Sequence, residues 1–125
     1  MSDSRGAINS YRDLVVWQEA MNLAVAAYRL TAEFPREERC GLTSQVRRSA
    51  ASVPANIAEG YGRDSTGAYA QQLRVAQGSL KELETHLLLA ERVDLIGNST
   101  VAPLLSKSEA VGKMLRGLIR AIESS

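Results

Sequence analysis

The chain has 125 residues and a mass of 13.6 kDa, a length that fits one domain better than two. Hydrophobic residues make up 45% and charged residues 23%, which excludes wholesale disorder. Fifteen Lys and Arg against fourteen Asp and Glu leave a net charge of +1, which excludes a generally polybasic nucleic-acid binder but allows a local basic face. Cys40 is the single cysteine, so a disulfide framework within the chain and a cysteine-based zinc site are excluded, and a reducing compartment is favoured.

The first ten residues are polar and include Gly6. They predict a flexible N-terminal tail over residues 1–10, followed by a single domain over residues 11–125. The tail lacks the apolar core of a signal peptide, and no apolar run approaches the ~20 residues that a membrane-spanning helix needs. We therefore expect a cytoplasmic protein with no membrane contact.

The first predicted helix begins near Tyr11 and ends before Pro35, because the residue before a proline avoids helical geometry. Ser10 and Asp13 have the spacing of a weak capping box at its start. Apolar residues recur along it at spacings of 3, 4, 3 and 4, which predicts one buried stripe. These residues are Leu14, Trp17, Met21, Ala24 and Tyr28.

The second predicted helix runs from about Leu42 to Arg63. Pro54 lies in its middle and removes one helical hydrogen bond, so a kink is expected there. The helix is rich in Ala, Ser and Gly, which allows a neighbouring helix to approach closely. Its predicted buried stripe comprises Leu42, Val46, Ala50, Val53, Ile57 and Tyr61.

The third helix has the clearest pattern, an unbroken 4-3-4-3-4-3 spacing typical of a bundle seam, capped by Asp64 or Ser65. That pattern comprises Tyr69, Leu73, Ala76, Leu80, Leu83, Leu87 and Ala90. A turn at Gly97-Asn98 separates it from a fourth helix over about residues 99–122. The expected buried residues of the fourth helix are Val101, Leu104, Val111, Leu115, Leu118 and Ile122. No stretch shows sustained alternation, so the sequence predicts an all-α, antiparallel up-down four-helix bundle.

Two of the helices carry more apolar surface than one core requires. Leu87, Leu88 and Leu89 are consecutive and cover about 200° of the helix circumference, whereas a core stripe is only slightly wider than about 100°. The first helix has a similar excess next to Leu14. We interpret the excess as an interface between copies of the chain; the alternative is a wide core or scattered exposed aliphatic residues. The predicted interface residues are Val15, Val16, Leu88 and Leu89.

A polar stripe runs beside the apolar stripe of the second helix at heptad spacing. It comprises Gln45, Ser49, Ser52, Asn56, Glu59 and Arg63. A solvated face usually contains more Lys and Glu, so we interpret this stripe as a structural, hydrogen-bonded seam. The seam lies either around the proline kink or between subunits; the alternative is a solvent-exposed face of small residues.

Basic residues cluster at two places. Arg47 and Arg48 are adjacent on the second helix, and Lys113, Arg116 and Arg120 share one face of the fourth. Such strips are able to contact phosphates. The alternatives are ion pairing for the first cluster and complementation of the helix dipole for the second, and the nearly neutral net charge favours these structural roles.

No residue set suggests an enzyme or a cofactor. Glu59 has no matched base, nucleophile or metal partner in the sequence. His86 is the single histidine and lies four residues after Glu82, where an intrahelical pair is expected. We therefore predict a protein without catalytic, metal-binding or cofactor-binding residues.

Several separated segments resemble a known family. They are YRDLVVWQEAM from Tyr11, Phe34-Pro35, GLTSQ from Gly41, RSAASVPANIAEGYGR from Arg48 and GSLKELE from Gly78. Together they span roughly residues 11–122 and resemble the four-helix-bundle family named after proteins encoded in intervening sequences of bacterial 23S rRNA genes. That family is similar to the accessory protein of diversity-generating retroelements, a barrel-like pentamer that works beside a reverse transcriptase on RNA. The resemblance therefore implies a homopentamer and a link to nucleic acid.

Two functional hypotheses follow. The first is a non-enzymatic, oligomeric helical scaffold or interaction protein, associated with RNA or a nucleoprotein. The second is a direct RNA- or DNA-binding protein that uses the basic strips of the second and fourth helices.

Overall fold

A computed structural model describes residues 8–125 of the chain. Within this range the backbone forms four α-helices and two short 3-10 turns, with no strand. The helices are α1 (Val15–Thr31), α2 (Leu42–Tyr61), α3 (Thr66–Arg92) and α4 (Asn98–Glu123). The predicted all-α class is confirmed. No helix in the described range is long and apolar enough to cross a membrane.

The helices pack around one core. α1 and α3 each lie against α2 and α4, so they stand diagonally opposite each other. Hydrogen bonds between α2 and α3 join Ser52 to Ser79, 27 residues apart, and Asn56 to Gln72, 16 residues apart. The sequence separation of the bonded residues decreases toward the loop that joins α2 to α3, so these two helices run in opposite directions. The same holds for α3 and α4, where Arg74 bonds to Glu123 and Glu84 to Ser108.

The predicted stripes of α2 and α3 form the centre of the core. Val46, Ala50, Val53 and Ile57 on α2 are fully buried. Their counterparts on α3, from Leu73 to Ala90, are buried at each position of the predicted pattern. α4 adds Val101, Leu104, Val111 and Leu115 as predicted, and also Ile119. The helix α2 is continuous through Pro54, and a kink there stays a prediction.

The start of α1 differs from the sequence prediction. Ser10 and Asp13 do form a capping box, but it caps a 3-10 turn over Tyr11–Asp13. Leu14 then has an extended backbone, and α1 begins only at Val15. Asn9 and Ser10 both donate backbone hydrogen bonds to the Asp13 carboxylate, so the predicted tail is anchored at this end. Residues 1–7 of that tail lie outside the described range.

The buried stripe of α1 is not the predicted one. Met21 and Tyr28 are exposed, and Leu14 and Trp17 are only partly buried. The core residues instead comprise Val16, Ala20, Leu23, Ala27 and Leu30, with Ala24 buried beside them. Both sets follow a 3-4 repeat, and they lie about 120° apart around the helix at 100° per residue. The predicted stripe is therefore a second apolar face of α1.

Candidate interaction surfaces

The polar stripe of α2 faces α3 of the same chain. The Ser52 hydroxyl lies 2.7 Å from the Ser79 hydroxyl, and the Asn56 amide donates to Ser52 Oγ at 2.9 Å. Gln72 Nε2 donates to Asn56 Oδ1 and to Glu59 Oε1, each at 2.9 Å. Through these linked hydrogen bonds, the polar groups between α2 and α3 find donors and acceptors. The central part of the stripe therefore joins two helices of one chain.

The ends of the stripe have local partners. Ser49 donates to the Gln45 carbonyl oxygen at 2.8 Å, within its own helix. Arg63 pairs with Glu59 at 2.8 Å, also one turn away, and both side chains are exposed. Exposed pairs of this kind contribute little to stability. The stabilising contacts of the stripe therefore lie at Ser52 and Asn56.

Gly60 allows the end of α2 to approach α3 closely. A methyl group added there would lie 2.9 Å from Gln72 Cβ and 3.1 Å from Tyr69 Cδ1. Tyr69 packs edge-on against Tyr61, with ring centroids 6.2 Å apart. Burial raises the pKa of Tyr69 above its ordinary value of 10.0, with a smaller contribution from Tyr61.

An apolar groove of about 710 Å³ lies on the outside of the bundle between α1 and α2. We call it the α1/α2 groove. One wall carries large side chains from the first turn and α1, and α2 supplies Pro54 and small residues. The lining comprises Tyr11, Trp17, Met21, Ala24, Val25, Tyr28, Arg29, Ala51, Pro54, Ala55 and Ala58. Tyr11 packs edge-on against Trp17 with ring centroids 5.3 Å apart. The sequence pattern gives no sign of this groove, because its α1 residues have the spacing of a core stripe.

The predicted interface residues divide between surface and core. Val15 is 56% exposed, and Leu88 and Leu89 are exposed on α3. Val16 is only 6% exposed and packs in the core of its own chain. Its assignment to an interface between copies is therefore wrong, because Val16 lies on the face of α1 that packs in the core.

Arg47 joins α1 to α2. Its guanidinium donates to Thr31 Oγ1 at 2.8 Å and to the Tyr28 carbonyl oxygen at 3.3 Å. It also lies 4.6 Å above the Tyr28 ring centroid, a cation–π geometry. The expected ion pair with an acidic residue is wrong for Arg47. The adjacent Arg48 points elsewhere, to a polar cavity of about 120 Å³ that it lines with Gln45, Ser49, Ser52, Glu82 and His86.

A second groove, of about 950 Å³, lies between α3 and α4. Lys113, Arg116 and Arg120 are exposed, and Arg116 lines this groove. From α3, Arg74 and Lys81 also line it, paired with Glu123 at 2.6 Å and Glu84 at 3.2 Å. The sequence does not connect Arg74 and Lys81 with Arg116, because only the packing of α3 against α4 brings them to one groove.

Residues 8–125 contain no group of three or more His, Cys, Asp or Glu side chains able to hold a metal ion. Cys40 is exposed with a free thiol. In the same range, every buried side-chain nitrogen or oxygen has a hydrogen-bond partner.

Residues 8–125 form a small four-helix bundle whose outside carries an apolar groove and a groove of mixed charge. A family model described as the 23S rRNA-intervening sequence protein matches residues 12–117. The chain belongs to this family, as the sequence resemblance indicated.

A solved structure supports the same fold. It is the crystal structure of a protein with unknown function from the S23 ribosomal protein family of Bacteroides thetaiotaomicron. The two chains share 24% sequence identity and superpose with a TM-score of 0.76, over 84% of this chain and 98% of that one. Comparison with curated proteins finds no match.

Proposed function

We propose that the chain is a non-enzymatic, homo-oligomeric scaffold of the cytoplasm that works through protein contacts, in association with RNA or a nucleoprotein. A ring of five subunits is the size that the family resemblance implies. The α1/α2 groove is the observation that supports this proposal most directly.

The groove has the composition of a protein contact. Trp17, Met21 and Tyr28 belong to residue types enriched at interfaces, and here they line an open surface. Met21 and Tyr28 are 38% and 45% exposed, and covering their exposed apolar area would contribute about 25 cal/mol per Å². The net charge of +1 adds little long-range repulsion between copies. A contact between copies of the chain would cover this surface.

Light scattering tests the proposal. We expect the wild-type protein to have a mass several times 13.6 kDa at micromolar concentration. Met21→Glu places a charge in the groove, where desolvating it is costly, and should lower that mass while leaving the helical circular dichroism unchanged. Ala110→Glu, on the exposed outer face of α4, is the matched control and should leave the mass unchanged. A wild-type protein that scatters as a monomer would contradict the proposal.

A second candidate function is direct binding of RNA or DNA. The observation that favours it is the position of Arg116 opposite Arg74 and Lys81 across the α3/α4 groove. Three cations along one groove suit a phosphate backbone, although Glu84 and Glu109 in the same lining reduce the net positive charge. Arg47 is engaged with α1 and contributes less to this candidate than Lys113, Arg116 and Arg120 do.

Binding to labelled RNA and DNA at two salt concentrations tests this candidate. Joint replacement of Lys113, Arg116 and Arg120 by alanine should weaken binding and flatten its salt dependence. Arg39→Ala, an exposed cation before α2, is the control and should have little effect. Binding that is equally strong in the triple variant would exclude the α4 strip as the nucleic-acid surface.

A further inference from the structure

We infer that the polar cavity between α2 and α3 binds a small zwitterionic α-amino acid such as glycine or serine. The cavity has a volume of about 120 Å³. Its lining comprises Gln45, Arg48, Ser49 and Ser52 of α2 with Glu82 and His86 of α3. We call it the α2/α3 cavity. The proposed oligomer does not use this site, so each can be tested without the other.

Opposite charges line the α2/α3 cavity without pairing. Arg48 and Glu82 are both exposed, and His86 lies one helical turn after Glu82. None of the three takes part in a salt bridge within residues 8–125. A guanidinium, a carboxylate and an imidazole thus converge on one small space. Small-molecule sites in proteins have this character, a concave space with a few convergent polar groups.

The deeper part of the cavity is polar and fixed by bonds within the protein. Ser49 is only 5% exposed and donates its hydroxyl to the Gln45 carbonyl oxygen at 2.8 Å. The Ser52 hydroxyl lies 2.7 Å from that of Ser79 and accepts from the Asn56 amide at 2.9 Å. These hydroxyls are held in place before a ligand arrives, which lowers the entropy lost on binding.

The charges of the lining select the class of ligand. A simple anion would be attracted by Arg48 but repelled by Glu82, and a simple cation would meet the reverse. A ligand that carries both charges is attracted by both side chains. The carboxylate of an α-amino acid accepts paired hydrogen bonds from a guanidinium, and its ammonium donates to a carboxylate.

The volume limits the size of that ligand. About 120 Å³ corresponds to about four water molecules at their volume in the liquid. The carboxylate and the ammonium of an α-amino acid are joined through one carbon atom, so they need about this space. A small or hydroxylated side chain fits beside the polar lining, whereas a nucleotide or a folded peptide is too large to enter.

Nuclear magnetic resonance of the full chain tests the inference directly. His86 is the single histidine, so its ring-proton signals report on the α2/α3 cavity without ambiguity. We expect glycine at millimolar concentration, at constant pH and ionic strength, to shift these signals until they saturate. Acetate and methylammonium each carry only one of the two charges and should cause no saturable shift. Calorimetry with glycine should give the same affinity as the shifts.

Two variants assign the two ends of the ligand. Arg48→Gln removes the guanidinium and Glu82→Gln removes the carboxylate. Each loses a hydrogen bond between charged groups and should weaken glycine binding about tenfold or more. Both side chains are exposed, so helical circular dichroism should be retained. Arg39→Gln, an exposed cation outside the cavity, is the matched control and should bind glycine as the wild-type protein does.

Three outcomes would overturn the inference. If phosphate shifts the His86 signals saturably and glycine does not, the cavity is an anion site. If Glu82→Gln binds glycine as tightly as the wild-type protein, the ammonium is not held by that carboxylate. If neither compound causes a saturable shift, the cavity holds only solvent. Each result leaves the proposed homo-oligomer unaffected, because its test is the mass in light scattering.

Discussion

Gly60→Ala is expected to destabilise the bundle, although alanine is the better helix former. The substitution adds one methyl group where α2 approaches α3. That methyl would lie 2.9 Å from Gln72 Cβ and 3.3 Å from the Tyr69 carbonyl oxygen. Neither atom is the end of a flexible side chain, so relieving the contact requires the two helices to move apart.

The magnitude is a difference between two terms. Replacing a helical glycine by alanine stabilises the helix by about 0.8–1 kcal/mol, and less near a helix end such as this one. Overpacking a close contact costs about 1–3 kcal/mol. The steric term is the larger, because Gln72 Cβ and the Tyr69 carbonyl oxygen move only with α3. We expect a net loss of up to about 2 kcal/mol in the free energy of unfolding.

Urea unfolding followed by circular dichroism measures this loss. Gly117→Ala is the matched control, because it is helical and a methyl group added there has no neighbouring atom within 4 Å. It should stabilise the protein by up to about 1 kcal/mol. Both variants must be compared at the same protein concentration, since assembly adds to apparent stability. If Gly60→Ala is as stable as Gly117→Ala, the close approach of α2 to α3 at Gly60 is refuted.

Three further changes test the core and the polar seam. Leu83 is fully buried, so Leu83→Ala should lower the free energy of unfolding by about 2–5 kcal/mol in urea; a change below ~1 kcal/mol would contradict its central position. Asn56→Leu removes the bonds of Asn56 to Ser52 and Gln72, leaving Ser52 only Ser79 and Gln72 only Glu59, and should cost about 0.5–1.5 kcal/mol; an unchanged melting profile and mass would indicate a solvated residue. Burial raises the pKa of Tyr69, so above pH 10 the unfolded chain loses this proton first and stability falls as pH rises. Tyr69→Phe should flatten that fall in thermal melts between neutral pH and pH 11, and an identical fall in both proteins would exclude Tyr69 as its source.

The candidate surfaces depend on contacts between residues of different helices, which no local sequence pattern predicts. The sequence indicated that the α2 stripe forms hydrogen bonds, because its Ser and Asn content is unusual for a solvated face. The sequence does not show where the hydrogen-bond partners of the stripe lie. In the fold they are Ser79 and Gln72 on α3. Arg47 was assigned to a phosphate strip or an ion pair, yet Thr31 and the ring of Tyr28 hold it. A hydrogen bond of this kind joins residues 16 positions apart and exists only after two helices have packed.

By itself, the sequence determined four helices, the turns between them and the buried faces of α2 and α3. The heptad pattern from Leu73 to Leu87 is unbroken along α3, so it marks one face clearly for burial, and burying apolar surface is the dominant favourable term in folding. α1 has two apolar faces with the same 3-4 repeat, and periodicity does not distinguish them. Tertiary structure made the choice: the face with Ala20 and Ala27 lies in the core, where small residues admit neighbouring helices, and the face with Trp17, Met21 and Tyr28 lies outside. The face of α1 that is buried depends on the volume available between the packed helices, and that volume is a property of the whole bundle.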